Sequence, residues 1–92
     1  MNNDFTLSFK ATFKREEVKG LIREVTELFE EFLKKSNIDI NDTENTMVIL
    51  YNETLKIKER IYDKSYKTVR DITKAEGKLE LIKKCIELSE CK

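Results

Sequence analysis

Apolar residues recur every three or four positions through most of this chain, and no proline interrupts them. In an α-helix this spacing places apolar side chains on one face, so the pattern predicts amphipathic helices. The chain has only two glycines, which permits those helices to be long. The sequence therefore predicts a mainly α protein, and its 92 residues predict a single domain over 1–92.

The periodicity predicts three helices, over about 15–36, 43–76 and 78–90. The first two are joined by a short turn and would form a long antiparallel hairpin. Gly77 is the predicted break before the short third helix, because the apolar face beyond it is rotated by roughly half a turn. A kink at Gly77 is the alternative.

Polar residues between the first two helices provide candidate caps. Asn37 is predicted to take the left-handed position after the first helix, with Ile38 folded back against its last turn. The predicted N-cap of the second helix is one of three consecutive residues: Asn41, Asp42 or Thr43.

Residues 5–13, with the sequence FTLSFKATF, alternate between apolar and polar side chains. A period of two predicts an N-terminal β-strand with one apolar face. The rest of the chain offers no second strand, so the pairing partner must come from another molecule. It would be the same strand of a second copy or the edge of another protein's sheet. We predict the first, a homo-oligomer and most simply a dimer, because it requires no further component.

The predicted oligomer interface combines this strand face with the part of the second helix that extends past the first. It comprises Phe5, Leu7, Phe9, Phe13, Lys58, Tyr62, Tyr66, Val69 and Glu76. Lys58 and Glu76 fall on the apolar half of the predicted second helix, so an antiparallel pair of these helices would place Lys58 of one copy near Glu76 of the other. The alternative is that both extend to solvent. The tyrosines would pack in the core or in the interface, or would stack on a nucleotide base.

Basic residues cluster on the outer face of the predicted second helix. They are Lys56, Arg60, Lys64, Lys67, Arg70, Lys74 and Lys78. Residues 56–78 carry eight basic and four acidic groups, whereas residues 15–44 carry five basic and nine acidic groups, although the whole chain balances at 18 of each. The cluster is a candidate polyanion-binding stripe. The alternative is a solvated face with ion pairs between successive turns.

A strand followed by two helices in a dimer resembles, by analogy, the ribbon-helix-helix DNA-binding proteins over about residues 5–50. In that class a paired ribbon enters the major groove, which here would place Lys10 near DNA. The chain departs from the pattern in its longer first helix, its third helix and its turn KSNIDINDTEN, which lacks glycine.

Residue types that carry chemistry are scarce. The chain has no histidine, no glycine-rich phosphate loop and no nucleophile motif. Its two cysteines, at positions 85 and 91, lack the spacing and the partners of a zinc site, and Cys85 is predicted to be packed and reduced. We therefore predict no enzymatic activity, no cofactor and no metal.

These observations together predict a small, cytoplasmic, non-enzymatic protein that regulates another protein by binding it, such as an inhibitor encoded by a phage or another mobile element. The longest apolar run, MVILY, is too short to span a bilayer, and no membrane partner is predicted. The alternative function is nucleic-acid or nucleotide-phosphate binding by the basic stripe.

Overall fold

The computed structural model describes residues 3–90, with side chains from residue 9 onward. Its helices are α1 (Asn3–Lys35), α2 (Thr46–Tyr62) and α3 (Val69–Glu90). They form an up–down–up bundle in which α2 runs antiparallel to α1 and α3 runs parallel to it. Two ion pairs between α1 and α3, Lys14–Glu76 and Glu24–Lys83, show which residues of the two helices lie side by side along the bundle axis. The prediction of a mainly α protein is confirmed.

The predicted N-terminal strand is wrong, because α1 begins at Asn3 and covers residues 5–13. Residues two apart on a helix point in nearly opposite directions, so the alternating segment splits into two sets with a spacing of four. Ala11 faces the core and is 2% exposed, whereas Phe9 and Phe13 face outward. The side chains of Phe5 and Leu7 lie outside the described part of the chain. Without a strand in residues 3–90, the analogy to ribbon-helix-helix proteins also fails.

The core follows the length of α1 as two clusters of buried side chains. One cluster lies near the N-terminal half of α1 and consists of Ala11, Val18, Ile22, Ile57, Ile61, Ile72, Ala75 and Leu79. The other lies toward its C-terminal end and consists of Val25, Phe29, Ile82 and Ile86. The helix α1 is the central one, because it contacts both α2 and α3 more extensively than those two contact each other.

The predicted cap at the end of α1 is confirmed. Asn37 has a φ of 55°, and the Ile38 amide donates a hydrogen bond to the Leu33 carbonyl at 3.0 Å. This is the Schellman arrangement, which satisfies carbonyls left free at the helix end. The predicted cap of the second helix was wrong: α2 begins later, and Asn45 accepts hydrogen bonds from the amides of Met47 and Val48.

The second helix ends at Tyr62 rather than at residue 76, which corrects the predicted range 43–76. Lys64 takes a left-handed conformation with a φ of 64°, and the Ser65 amide donates to the Arg60 carbonyl at 3.0 Å, a second Schellman arrangement. The Asp63 carboxylate accepts two hydrogen bonds from Ser65, which lower the pKa of Asp63 below its ordinary value. Thr68 then starts α3 by accepting a hydrogen bond from an amide one turn later.

Gly77 lies inside α3 and does not end a helix, so the predicted range 78–90 is also corrected. The buried stripe of α3 keeps one phase through this glycine. It consists of Ile72, Ala75, Leu79, Ile82 and Ile86. The rotated apolar face predicted beyond Gly77 combined two different sets, since Ile82 and Ile86 belong to the core and their apolar neighbours do not.

Candidate interaction surfaces

Two aromatic side chains lie exposed near the N-terminal end of α1. Phe9 is 56% exposed and Phe13 is 60% exposed, and their rings contact edge to face with centroids 4.9 Å apart. They lie on the side of α1 opposite Ala11, so the helix directs them away from its own bundle. Adjacent exposed apolar side chains mark interaction sites more often than isolated ones do.

A second apolar set lies on the outside of α3. Leu81 is 66% exposed and Leu88 is 69% exposed. Cys85 lies between them and is an exposed free thiol. Their spacing of four and three places them on one helical face, roughly opposite the buried stripe. The prediction that Cys85 is packed was therefore wrong. This surface was not predicted from the sequence, although the difference in helical phase between these residues and Ile82 and Ile86 identifies it.

The structure places Glu76 and Lys58 in different grooves of the bundle. The Lys14 Nζ donates a hydrogen bond to Glu76 Oε1 at 2.9 Å, and this bond is the main cause of a raised Lys14 pKa. Glu76 is therefore paired within its own chain, in the groove between α1 and α3. Lys58 lies on the other side of α1, beside Tyr62.

Tyr62 lies at a groove between α1 and α2 with a volume of about 260 Å³. Its half-exposed ring lies 4.9 Å from the Nζ of Lys19 and 5.9 Å from the Nζ of Lys58, both within range of a cation–π interaction. The groove is also lined by Arg23 and by Thr26, whose buried hydroxyl has no hydrogen-bond partner within the described residues. Two glutamates complete the lining, so the groove has no single charge sign.

Tyr66 and Val69 stabilise the α2–α3 connection. Both are partly buried and pack against the core cluster near the N-terminal half of α1. The Arg15 guanidinium donates a hydrogen bond to the Tyr66 carbonyl at 3.2 Å, and a hydrogen bond with the Tyr66 side chain raises the pKa of Arg60. These two predicted interface residues therefore have a structural role within the chain.

The predicted basic stripe is divided among three segments. Lys56 and Arg60 are on α2, Lys64 and Lys67 are in the connection, and the other three are on α3; all seven are exposed. They are therefore not one face of one helix. Folding nevertheless adds basic residues of α1 to the same half of the molecule: Lys10, Lys14, Arg15, Lys19 and Arg23.

Charge is segregated along the bundle axis. The Glu24–Lys83 ion pair, with a distance of 2.6 Å, marks a level that divides the described chain into two halves. The half formed by residues 3–23 and 58–82 contains twelve basic and eight acidic residues. The half formed by residues 24–57 and 83–90 contains five basic and ten acidic residues. The molecule is therefore an electrostatic dipole with a positive and a negative end.

The described side chains contain no group of three or more histidine, cysteine, aspartate or glutamate residues arranged to hold a metal ion. Within residues 3–90, no helix has the length and apolar character needed to cross a membrane.

Comparison of the chain with protein-family models, with curated proteins and with solved structures found no match. The exposed surfaces of the bundle are therefore the basis for a functional proposal.

Proposed function

We propose that this chain is a small, non-enzymatic binding protein that acts through protein–protein interaction and associates with itself, most simply as a homodimer. The observation that supports the proposal best is the exposed pair Phe9 and Phe13. Their rings contact each other yet remain more than half exposed, on a helix whose opposite side already fills the core. Covering them with a partner removes apolar surface from water.

The energetic balance indicates that more surface than these two rings must be covered. Burial of a phenylalanine side chain contributes about 1.5–3 kcal/mol, whereas association costs on the order of 4–15 kcal/mol in lost translational and rotational freedom. A stable interface buries roughly 1,200–2,000 Å² in total. The aromatic pair is therefore one part of the proposed interface, and neighbouring surface completes it.

The proposed role is regulation of a protein partner in the cytoplasm, as an inhibitor encoded by a phage or another mobile element would exert it. A small helical bundle with exposed apolar residues and strong charge segregation has the surface features required for such binding.

The replacement of Phe9 and Phe13 by serine tests the proposal. We expect the wild-type chain to have a light-scattering mass above its 10.9 kDa monomer and the double variant to have the monomer mass. The matched control replaces Ile40 and Ile49, which are similarly exposed at 51% and 50%, by serine. The control should keep the wild-type mass. Equal masses for wild type and the Phe9, Phe13 variant, with unchanged helical circular dichroism, would contradict the proposal.

The charge segregation supports a second candidate function, binding of nucleic acid or another polyanion by the positive half. Lysine and arginine contacts to phosphates release counterions, so affinity should fall steeply between about 50 and 500 mM salt. Fluorescence anisotropy with a labelled oligonucleotide measures this. We expect Lys67→Glu with Lys74→Glu to weaken binding, and the control Lys34→Glu with Lys84→Glu, both in the negative half, to leave it nearly unchanged. No binding at low salt, or equal affinity at both salts, would exclude this function.

A further inference from the structure

Two helices of this bundle present outward faces whose residues follow complementary orders. The α1 outer face comprises Phe9, Phe13, Glu16, Gly20, Glu24 and Glu27. The α3 outer face comprises Arg70, Lys74, Gly77, Leu81, Lys84, Cys85 and Leu88. Each face lies roughly opposite the buried stripe of its own helix. Along α1 the order is aromatic and then acidic; along α3 it is basic and then mainly apolar, with Lys84 among the apolar residues.

The two orders match when the faces are laid against each other in antiparallel orientation. With position i of α1 opposite position 97 − i of α3, Phe9 meets Leu88 and Glu27 meets Arg70. In the same register Phe13 falls opposite Lys84 and next to Cys85, and Glu24 falls opposite Thr73 and next to Lys74. The register therefore pairs apolar Phe9 with apolar Leu88 at one end and acidic Glu27 with basic Arg70 at the other.

Two levels of this register pair unlike groups, since Leu81 falls opposite Glu16 and Lys84 falls opposite Phe13. The Glu16 carboxylate already has an ion pair within its own chain, with the Nζ of Lys19 at 2.8 Å. Its charge is therefore compensated in the free molecule, and its aliphatic stem is the part that remains to contact Leu81.

The only two glycines of the chain meet at the centre of the register, Gly20 opposite Gly77. Both are exposed and lie inside helices, where glycine costs about 1 kcal/mol relative to alanine. A Cβ at either position would meet nothing within 4 Å in its own chain, and neither has a positive φ. The fold itself therefore does not require glycine at these positions, whereas close approach of another helix would.

We propose that the α1 outer face of one copy docks in antiparallel orientation on the α3 outer face of a second copy. This inference rests on the proposed function and identifies the second copy as the occupant of the aromatic surface. The charge complementarity between Glu27 of α1 and Arg70 of α3 favours this occupant, whereas Glu24 is already paired with Lys83 of its own chain. The α3 outer face also supplies the additional apolar area that the Phe9 and Phe13 pair lacks.

The proposed contact uses a different face on each molecule, so it is heterologous. Each copy keeps one free α1 outer face or one free α3 outer face after the first contact. The smallest assembly is a dimer, and it grows with concentration or closes into a ring.

A mixing experiment tests this arrangement. The first variant, Phe9→Glu with Phe13→Glu, blocks the α1 outer face, and the second, Leu81→Glu with Leu88→Glu, blocks the α3 outer face. Each variant alone should be a 10.9 kDa monomer by light scattering, because each lacks one of the two required faces. Their equimolar mixture should form a 1:1 dimer that does not grow further.

Other outcomes of the mixing experiment overturn the inference in separate ways. Dimers of either variant alone would show that like faces pair. A mixture that remains monomeric, beside a wild type that associates, would refute the contact between the two outer faces but keep the proposed function. A wild type that is monomeric up to about 1 mM would refute both.

Substitution of the glycines gives an independent readout. Gly20→Ala with Gly77→Ala should raise the thermal unfolding midpoint of the monomer, because alanine favours helix, and should weaken association at least tenfold. Asn52→Ala, at an exposed position of α2, is the matched control and should leave association unchanged. Association that is as strong in the glycine variant as in wild type would refute the proposed close approach.

Discussion

Replacement of Phe29 by alanine is expected to lower the free energy of unfolding by about 3–5 kcal/mol, the usual cost for a large aromatic side chain in a core. Phe29 is 0% exposed, and its ring contacts Tyr51 of α2 with centroids 5.6 Å apart. It also belongs to the buried cluster with Ile82 and Ile86 of α3. One side chain therefore connects all three helices, and its removal leaves a cavity between them.

Urea denaturation followed by circular dichroism measures this effect. A chain of this length has a total stability of about 5–14 kcal/mol, so the Phe29→Ala variant should lose a large part of it. The control is Phe13→Ala, the same substitution at a position that is 60% exposed, measured under conditions where the chain is monomeric. That change should lower the free energy of unfolding by less than about 1 kcal/mol. Similar losses for both variants would contradict the assigned core.

Replacement of Ala11 by glutamate should lower the free energy of unfolding by at least about 2 kcal/mol, because it places a charged group where 2% of the side chain is exposed. Ala11 packs in the same cluster as Ile72 and Ala75 of α3. A carboxylate there must lose its hydration or push the first turns of α1 away from α3. Thermal unfolding of the monomer measures the loss.

The matched control is Phe13→Glu, which should leave the unfolding midpoint nearly unchanged and abolish association instead. The two variants also distinguish a helix from a strand. In a strand, Ala11 and Phe13 share one face and their substitutions would have the same type of effect, whereas a helix places them on opposite sides. Parallel losses of stability in both variants would therefore contradict the helical assignment.

Much of α1 could be predicted from the sequence, because its core stripe keeps a helical period over many turns. Val18, Ile22, Val25 and Phe29 belong to that predicted stripe and are buried. The cap at Asn37 followed from local chemistry, since asparagine tolerates the left-handed conformation that ends a helix. Local rules were therefore sufficient for the core stripe and the C-terminal end of α1.

The errors arose where two apolar faces share one helix. In residues 5–13 the apolar residues of the two opposite helix faces together produce the alternating pattern of a strand. Ala11 is the inward residue because it packs against α3. In α3, the outward residues Leu81 and Leu88 obscured the phase of Ile82 and Ile86. Periodicity in one sequence does not show which of two apolar faces meets the core.

The C-terminal end of α2 could not be predicted from the sequence for a different reason. The connection contains no glycine or proline, and a lysine at position 64 takes the left-handed conformation. The hydrogen bonds of Asp63 with Ser65 and of Arg15 with the Tyr66 carbonyl stabilise this turn. The second of these depends on α1 lying alongside, which is a tertiary contact that propensity does not include.

The candidate surface could be predicted only in part. Phe9 and Phe13 were identified as interface residues on the assumption of a strand, and the helix leaves the same two side chains exposed. The α3 outer face could be identified only from the packing of the three helices in the structure. Glu76, predicted to pair between copies, has its partner Lys14 within the chain.

Sedimentation equilibrium of the unmodified chain over about 10 μM to 1 mM tests the central claim most directly. We predict an average mass that rises with concentration above 10.9 kDa, because in the proposed assembly the exposed faces of α1 and α3 pair between copies. A constant mass of 10.9 kDa across the whole range, with Phe9 and Phe13 accessible to solvent, would contradict it.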